Sequence, residues 1–202
     1  MRNRVEPKIS VVTIFLDGLP WLEEAIQSVL AQTDVDLEYT LVDDGSSDGS
    51  SAIARSFAAR FPDTVRYIDH PGHANRGMSA SRNAGVAVAN GEFLAFIDAD
   101  DVWLPDKLSR QLGWFAKHSE IVMVCDSAIY WYSWGGGKDE PVLAGPVQDA
   151  VVLPPMALLE TYPLGRGHAP CPSGILIRKS AYEEVGGFEA SFTGPLQMYE
   201  DQ

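Results

Sequence analysis

The stretch Ile9 to Phe15, ISVVTIF, carries no charge and is dominated by β-branched side chains. Such a run is stable as a strand only with apolar neighbours on both faces, the environment of an interior strand in a parallel sheet. Pro20 then opens a segment whose apolar residues Leu22, Ala25, Ile26, Val29 and Leu30 fall at i, i+3, i+4, i+7 and i+8, one face of a helix. The same alternation continues. Strands are predicted at Tyr39–Val42, Val65–Ile68 and Phe93–Ile97, and helices up to about Arg60, from Ser79 to Ala89 and from Pro105 to His118. This order implies an α/β fold: a mostly parallel central sheet with helices on both faces, and ligands bound at the carboxyl ends of the strands. Beyond His118 the pattern becomes mixed. Strands are expected at Ile121–Cys125, Ala128–Trp131 and Gly174–Ile177, and Ser180 with Glu183 matches a capping box for a short helix ending at Gly186-Gly187. We expect one domain over 1–202, with a nucleotide-type front half over about 9–118 and a more variable back half over about 119–202.

Charge narrows the partners. Twenty-eight Asp and Glu against 15 Lys and Arg leave a net charge of −13, which repels phosphate backbones and anionic lipid, so no nucleic-acid partner is expected. The apolar stretch after the basic start ends at Leu16, and no run approaches the length of a membrane-spanning helix, so neither a signal peptide nor a transmembrane segment is expected. Cys125 and Cys171 are too few and too far apart in sequence for a zinc site or a disulfide framework, though one disulfide stays open.

Two acidic clusters end predicted strands and therefore fall on one edge of the sheet. In Asp98-Ala99-Asp100 an extended backbone would project two carboxylates to one side, where they can hold Mg²⁺ or Mn²⁺ together with water and phosphate oxygens. Taken alone, a D-x-D is equally the composition of a solvated turn. Asp43-Asp44-Gly45-Ser46 suits contacts to a base or ribose, or a plain helix-capping turn. Arg76 and Arg82 flank the start of the third helix, where a cation can meet phosphate. His70 and His73 read as loop histidines without a third metal ligand. His168 and Cys171 lie in a Gly/Pro loop that faces the crevice in this reading. Trp131 and Trp134 suit either stacking on a sugar or packing in the core.

Five blocks in order carry a resemblance: ISVVTIF with WLEEAIQSVLAQT, LVDDGSSDGS, NRGMSASRNAGVAVANGEFLAFIDADDVWLPDKL, PSGILIRKSAYEEVGGF and the terminal YEDQ. Together they resemble the family 2 glycosyltransferases of the GT-A fold, enzymes that use a nucleotide diphosphate sugar and invert its anomeric centre. The resemblance implies that Ile14, Phe15 and Leu16 line the nucleotide with Asp44 at the base, Asp98 near the ribose and Arg82 at the diphosphate. It implies Asp100, with Asp98, as the ligand of a divalent cation, Mg²⁺ or Mn²⁺, and Asp201 as the catalytic base, with Glu200, His168 and Ser173 on the acceptor side.

The first loop departs from the family, which has Pro, a small residue, an aromatic and Asn where this chain has Ile14, Phe15, Leu16 and Asp17. UDP is the first expectation for the nucleotide, with dTDP and GDP open. The implied partners are a nucleotide diphosphate sugar donor and a saccharide or lipid-linked acceptor, in polysaccharide biosynthesis. The implied setting is the cytoplasm, or the inner face of the membrane. In the family a helix continues past the Glu-Asp pair, so the piece ending at Gln202 is expected to bind donor and transfer poorly. A sugar nucleotidyltransferase would carry a Gly-rich basic loop after the first strand, and Leu16-Asp17-Gly18-Leu19-Pro20 has no basic residue. An Asp-nucleophile phosphatase would place its D-x-D after the first strand. The remaining rival is a non-catalytic sugar-nucleotide binding domain.

Overall fold

The computed structural model describes residues 9–142, 152–154, 157 and 170–191. A six-stranded sheet has the order β3-β2-β1-β4-β8-β5. The four parallel strands are β1 (Ile9–Phe15), β2 (Leu37–Asp43), β3 (Val65–Asp69) and β4 (Phe93–Phe96), each joined to the next through a helix. Those helices are α1 (Leu22–Leu30), α2 (Ser50–Arg60) and α3 (Met78–Ala87); α4 (Lys107–Lys117) follows β4. The short strands β5 (Met123–Cys125) and β8 (Ile175–Arg178) extend the sheet antiparallel, β8 lying between β4 and β5. The strands β6 (Ala128–Tyr130) and β7 (Glu140–Val142) pair apart as a hairpin. Helix α5 (Lys179–Val185) continues directly from β8. Among the described residues no helix is long and apolar enough to cross a membrane.

The double burial read from ISVVTIF is realised with a period of two. Ile9, Val11 and Phe15 face the cluster formed with α1, α2 and α4 (Leu22, Ile26, Ala54, Phe57, Leu108, Phe115), while Val12 and Ile14 face Val86 of α3 and Tyr182 of α5 on the opposite side. Helix α3 is built of small residues because it lies almost on the sheet. A Cβ added at Gly85 would stand 2.4 Å from Val12 Cγ1 and 3.1 Å from Val42 Cγ2.

One local expectation is corrected and one open question is answered. Ser180 does not cap α5: the N-cap is Arg178, without a side-chain cap, because β8 runs straight into the helix and Lys179 N–H is held by Glu92 O at 2.8 Å. Glu183 pairs instead with Lys179, Nζ to Oε1 at 3.7 Å. Cys125 and Cys171 are free thiols, not a disulfide.

Gly85→Ala is therefore expected to lower stability by about 1–3 kcal/mol through overpacking, with the slope of the denaturant transition unchanged. Urea unfolding of the variant beside the parent measures it.

Candidate functional site

The carboxyl ends of β3, β2, β1 and β4 open on one edge. The chain progresses to one side of β1 through β2 and β3, then crosses to its other side at β4, which makes the β1/β4 gap a topological switch point. The acidic clusters leave this edge from β2 and β4. They are not direct neighbours, because β1 lies between them, and its loop joins them. Asp17 Oδ1 accepts the N–H groups of Ser47 (2.6 Å) and Asp48 (3.1 Å), and Asp17 N–H donates to Ser46 Oγ at 3.1 Å. On the other side Gly18 sits so close that a Cβ there would lie 3.5 Å from Ala99 Cβ. Asp17 is thus the tie between the first and second strand-end loops.

Asp43 is fully buried and spent on structure. Its Oδ1 accepts Gly45 N–H (3.2 Å) and Ser46 N–H (2.8 Å); its Oδ2 accepts the hydroxyls of Ser51 and of Tyr67, the latter at 2.9 Å. Burial acts to raise its carboxyl, but hydrogen bonds from Ser51, Ser46 and Tyr67 outweigh it and hold the carboxyl below the usual range. Asp44, also buried, points to the loop before α3: Oδ1 accepts Arg76 N–H at 2.6 Å, Oδ2 accepts Gly77 N–H at 3.1 Å, and His70 Nε2 lies 3.5 Å from Oδ1. A carboxylate has about four acceptor sites, so Asp44 keeps capacity for a ligand N–H or O–H. Between the two loops Gly45 adopts φ +94°, and a Cβ there would stand 3.0 Å from Asn75 N, so only glycine lets them approach.

The cluster after β4 differs from the extended arrangement expected of it. Asp101 N–H donates to Asp98 O at 3.1 Å, so Asp98 to Asp101 form a tight turn. Extension would have left the Asp98 and Asp101 groups unpaired, whereas the turn lets one hydroxyl serve both. Ser173, buried in a 3-10 turn over Pro172–Gly174, accepts Asp98 N–H at 3.0 Å and donates to the Asp101 carboxylate. That turn is anchored from behind: Trp103 Nε1 donates to Ser173 O and Gln111 Nε2 to Gly174 O, both at 2.8 Å. Burial pushes the Asp101 carboxyl up, the Ser173 hydroxyl opposes that, and the charges of Asp98 and Asp100 add to it. Arg82, its side chain only 3% exposed, reaches from α3 to Asp98 Oδ1 at 2.9 Å and lies over the ring of Phe188. Asp100 is exposed at the tip of the turn.

The sequence-derived site therefore separates into parts. Ile14 and Phe15 bury their side chains in the two core clusters, so of the three first-loop residues Leu16 alone presents its side chain to solvent. Asp44, Asp98, Asp100 and Arg82 gather on one edge, and Ser173 sits beneath the acidic turn. Asp201, Glu200 and His168 lie outside the described residues. Sequence reading missed the roles of Asp17, Trp103 and Gln111, since none stands in a charged motif. His73 is the loop histidine expected, and its ring meets Ser46 O and Asp69 Oδ2, each at 2.8 Å; these two acceptors raise its pKa. Among the described residues no three His, Cys, Asp or Glu side chains form a metal cage. The oxygen donors at the acidic turn suit a hard cation that takes most of its shell from water and phosphate.

A doubly covered, mostly parallel sheet with acidic strand ends beside its switch point defines an α/β domain with a ligand crevice at that edge. The chain belongs to glycosyl transferase family 2, whose family model matches residues 10–186. It is 36% identical over 183 residues to an uncharacterized glycosyltransferase of Nostoc sp., covering 88% of this chain and 53% of that protein. It is 29% identical to a Bacillus subtilis protein named as glycosyltransferase EpsE, covering 91% and 61%. The chain thus spans little more than half the length of these relatives. Its fold is that of the mannosyltransferase PcManGT of Pyrobaculum calidifontis, solved with GDP-Man and Mn²⁺ (TM-score 0.64, 19% identity, 96% of this chain and 51% of that one). Residues 1–349 of S. aureus TarS, solved with UDP-GlcNAc, share it at TM-score 0.59 and 17% identity, with 96% and 52% covered. The GT-A architecture expected from the sequence is the one observed.

Asp43→Asn is expected to destabilise the protein by about 2–4 kcal/mol at neutral pH, because an amide cannot accept all the bonds that Asp43 accepts. The folded carboxyl titrates below the unfolded value of 3.8, so its contribution is present above that value and lost as pH falls through the lower folded one. Unfolding curves from pH 7 to pH 2 should show the gap between parent and variant narrowing only at the acid end.

Proposed function

We propose that this chain binds the donor of a metal-dependent, inverting glycosyltransferase, which moves a sugar from a nucleotide diphosphate sugar to a hydroxyl of a saccharide or lipid-linked acceptor. The observation that carries this reading is the gathering of Asp44, Asp98 and Asp100 on the carboxyl edge around β1, with Arg82 paired to Asp98. Three carboxylates on one rim repel a diphosphate, so a cation is needed to bring the two together. Relatives in solved structures bind GDP-Man with Mn²⁺ and UDP-GlcNAc, which supports a nucleotide sugar as donor. A named role in teichuronic acid biosynthesis for TuaG of Bacillus subtilis, 31% identical over 116 residues, supports a saccharide-building reaction.

In this reading Asp44 accepts from the base and Asp98 from the ribose. UDP is favoured as the nucleotide. Asp100, with the free oxygen of Asp98, holds Mg²⁺ or Mn²⁺, and the bound cation supplies neutralisation of the charge that develops on the departing diphosphate. Arg82 acts through Asp98, keeping that carboxylate fixed while the donor sits against it. Asp201 takes the proton of the acceptor hydroxyl as its oxygen attacks the anomeric carbon on the face opposite the diphosphate. The C–O bond to the diphosphate breaks as the new one forms, and the anomeric configuration inverts. Glu200 and His168 belong to the acceptor side.

Titration calorimetry with UDP, GDP and dTDP tests the donor site. UDP is expected to bind with Mn²⁺ present and to lose its affinity in EDTA, and Asp100→Asn to weaken it by at least the roughly 10- to 100-fold that loss of a mere outer-shell partner costs. Affinity undiminished in EDTA would remove the metal assignment. In transfer assays on a chain of the relatives' full length that carries this segment, Asp201→Asn is expected to lower kcat by about 10²–10⁴ while UDP affinity holds. Full transfer by that variant would move the base elsewhere. Nucleotide binding without donor hydrolysis or transfer by that full-length chain would instead mark a binding domain.

A further inference from the structure

Large aromatic side chains stand in water beside the crevice. The hairpin of β6 and β7 exposes Tyr130, Trp131, Tyr132 and Trp134, with half of Trp131 and 67% of Trp134 accessible. Their place beside a strand allowed core packing, and that exposure removes it. Leaving such rings solvated forgoes the free energy of burying them, and exposed apolar patches of this kind mark sites of contact.

The patch is held in shape. Asp139 Oδ1 accepts the N–H groups of Tyr132 (3.0 Å) and Ser133 (2.8 Å), and Ser133 Oγ lies 3.1 Å from Asp139 Oδ2. Trp131 Nε1 donates to the same Ser133 hydroxyl at 2.7 Å, which fixes the plane of its ring. Trp134 meets Trp21 edge to face at 5.4 Å. Trp21 lies three residues after Gly18, where an added Cβ would stand 3.5 Å from Ala99 Cβ, so this contact ties the hairpin to the β1 loop that runs beside the Asp98–Asp101 turn.

We propose that this hairpin is a binding platform for a neutral saccharide, with Trp131 and Trp134 stacking on sugar rings of the acceptor. A pyranose presents a C–H face that packs on an aromatic ring and a hydroxyl edge that needs polar partners; here Ser133 and Asp139 stand beside the rings. Charge selects this occupant over others. The hairpin carries Asp139 and Glu140 against Lys138, and the chain as a whole is at −13, so an anionic lipid surface and a second copy of the chain are both repelled while an uncharged sugar is not. The proposal deepens the glycosyltransferase reading and rests on it.

The test titrates the protein with cellotriose, maltotriose, mannotriose and chitotriose, read by tryptophan fluorescence and saturation-transfer NMR, with UDP and Mn²⁺ binding measured in parallel. At least one trisaccharide is expected to saturate, with Trp131→Ala and Trp134→Ala each weakening it by about tenfold and Trp134→Phe restoring most of the loss. Affinity for UDP should hold in all three variants, which also reports their folding. If UDP binds and no trisaccharide does, or the variants bind sugar as the parent does, the platform falls and the donor site stands. Binding through these tryptophans to phosphatidylethanolamine–phosphatidylglycerol vesicles, or their burial in a dimer in place of sugar binding, overturns it equally. If UDP does not bind the parent, the glycosyltransferase reading itself falls.

Discussion

One buried hydroxyl organises the acidic rim. Three carboxylates occur within four residues after β4, and left to themselves they would spread apart. Ser173 Oγ accepts the Asp98 N–H and donates to Asp101, closing the turn from beneath. Arg82 then neutralises Asp98 from the side of α3, which leaves Asp100 as the carboxylate turned outward. Burial raises the Asp101 carboxyl above its usual range, and the hydrogen bond from Ser173 opposes that rise.

This arrangement depends on the antiparallel strand β8. Its insertion between β4 and β5 carries the Pro172–Gly174 turn to the end of β4, where Trp103 and Gln111 bind that turn's carbonyls from behind. Lys107 contributes to the same support. Its ammonium lies 4.5 Å from the Trp103 ring and 3.8 Å from Asp126, and burial pushes its pKa down to about 8. A polar network of this kind specifies one arrangement when every member is satisfied, and it holds functional groups more firmly than a loop alone.

The first and second loops show the same division between holding and displaying. Asp43 and Asp17 are consumed by hydrogen bonds that set the loops against each other, and Asp44 ties the loop before α3 while retaining acceptor capacity. An acidic motif at a strand end is therefore not uniformly a ligand motif: in Asp43-Asp44 the first carboxylate builds the loop in which the second sits.

Much of the frame was legible from the chain. The period-two burial of ISVVTIF, the helical face of Leu22, Ala25, Ile26 and Val29, and the strand ends at Asp43 and Asp98 are local properties of spacing and side-chain shape, which each segment expresses wherever it lies. Family motifs marked Asp44, Asp98 and Asp100 because charged residues in fixed short patterns stand out in a sequence. What could not be read was which residues meet across long separations. Ser173 lies 75 residues from Asp98, and Trp103 lies 70 from Ser173; a serine or tryptophan carries no mark of such a partner. The turn at Asp98, the burial of Arg82 and the exposure of Trp131 and Trp134 were likewise decided by tertiary structure. Local spacing sets which face a side chain takes, but only the packed sheet, with β8 returned beside β4, determines what stands opposite that face and whether water reaches it.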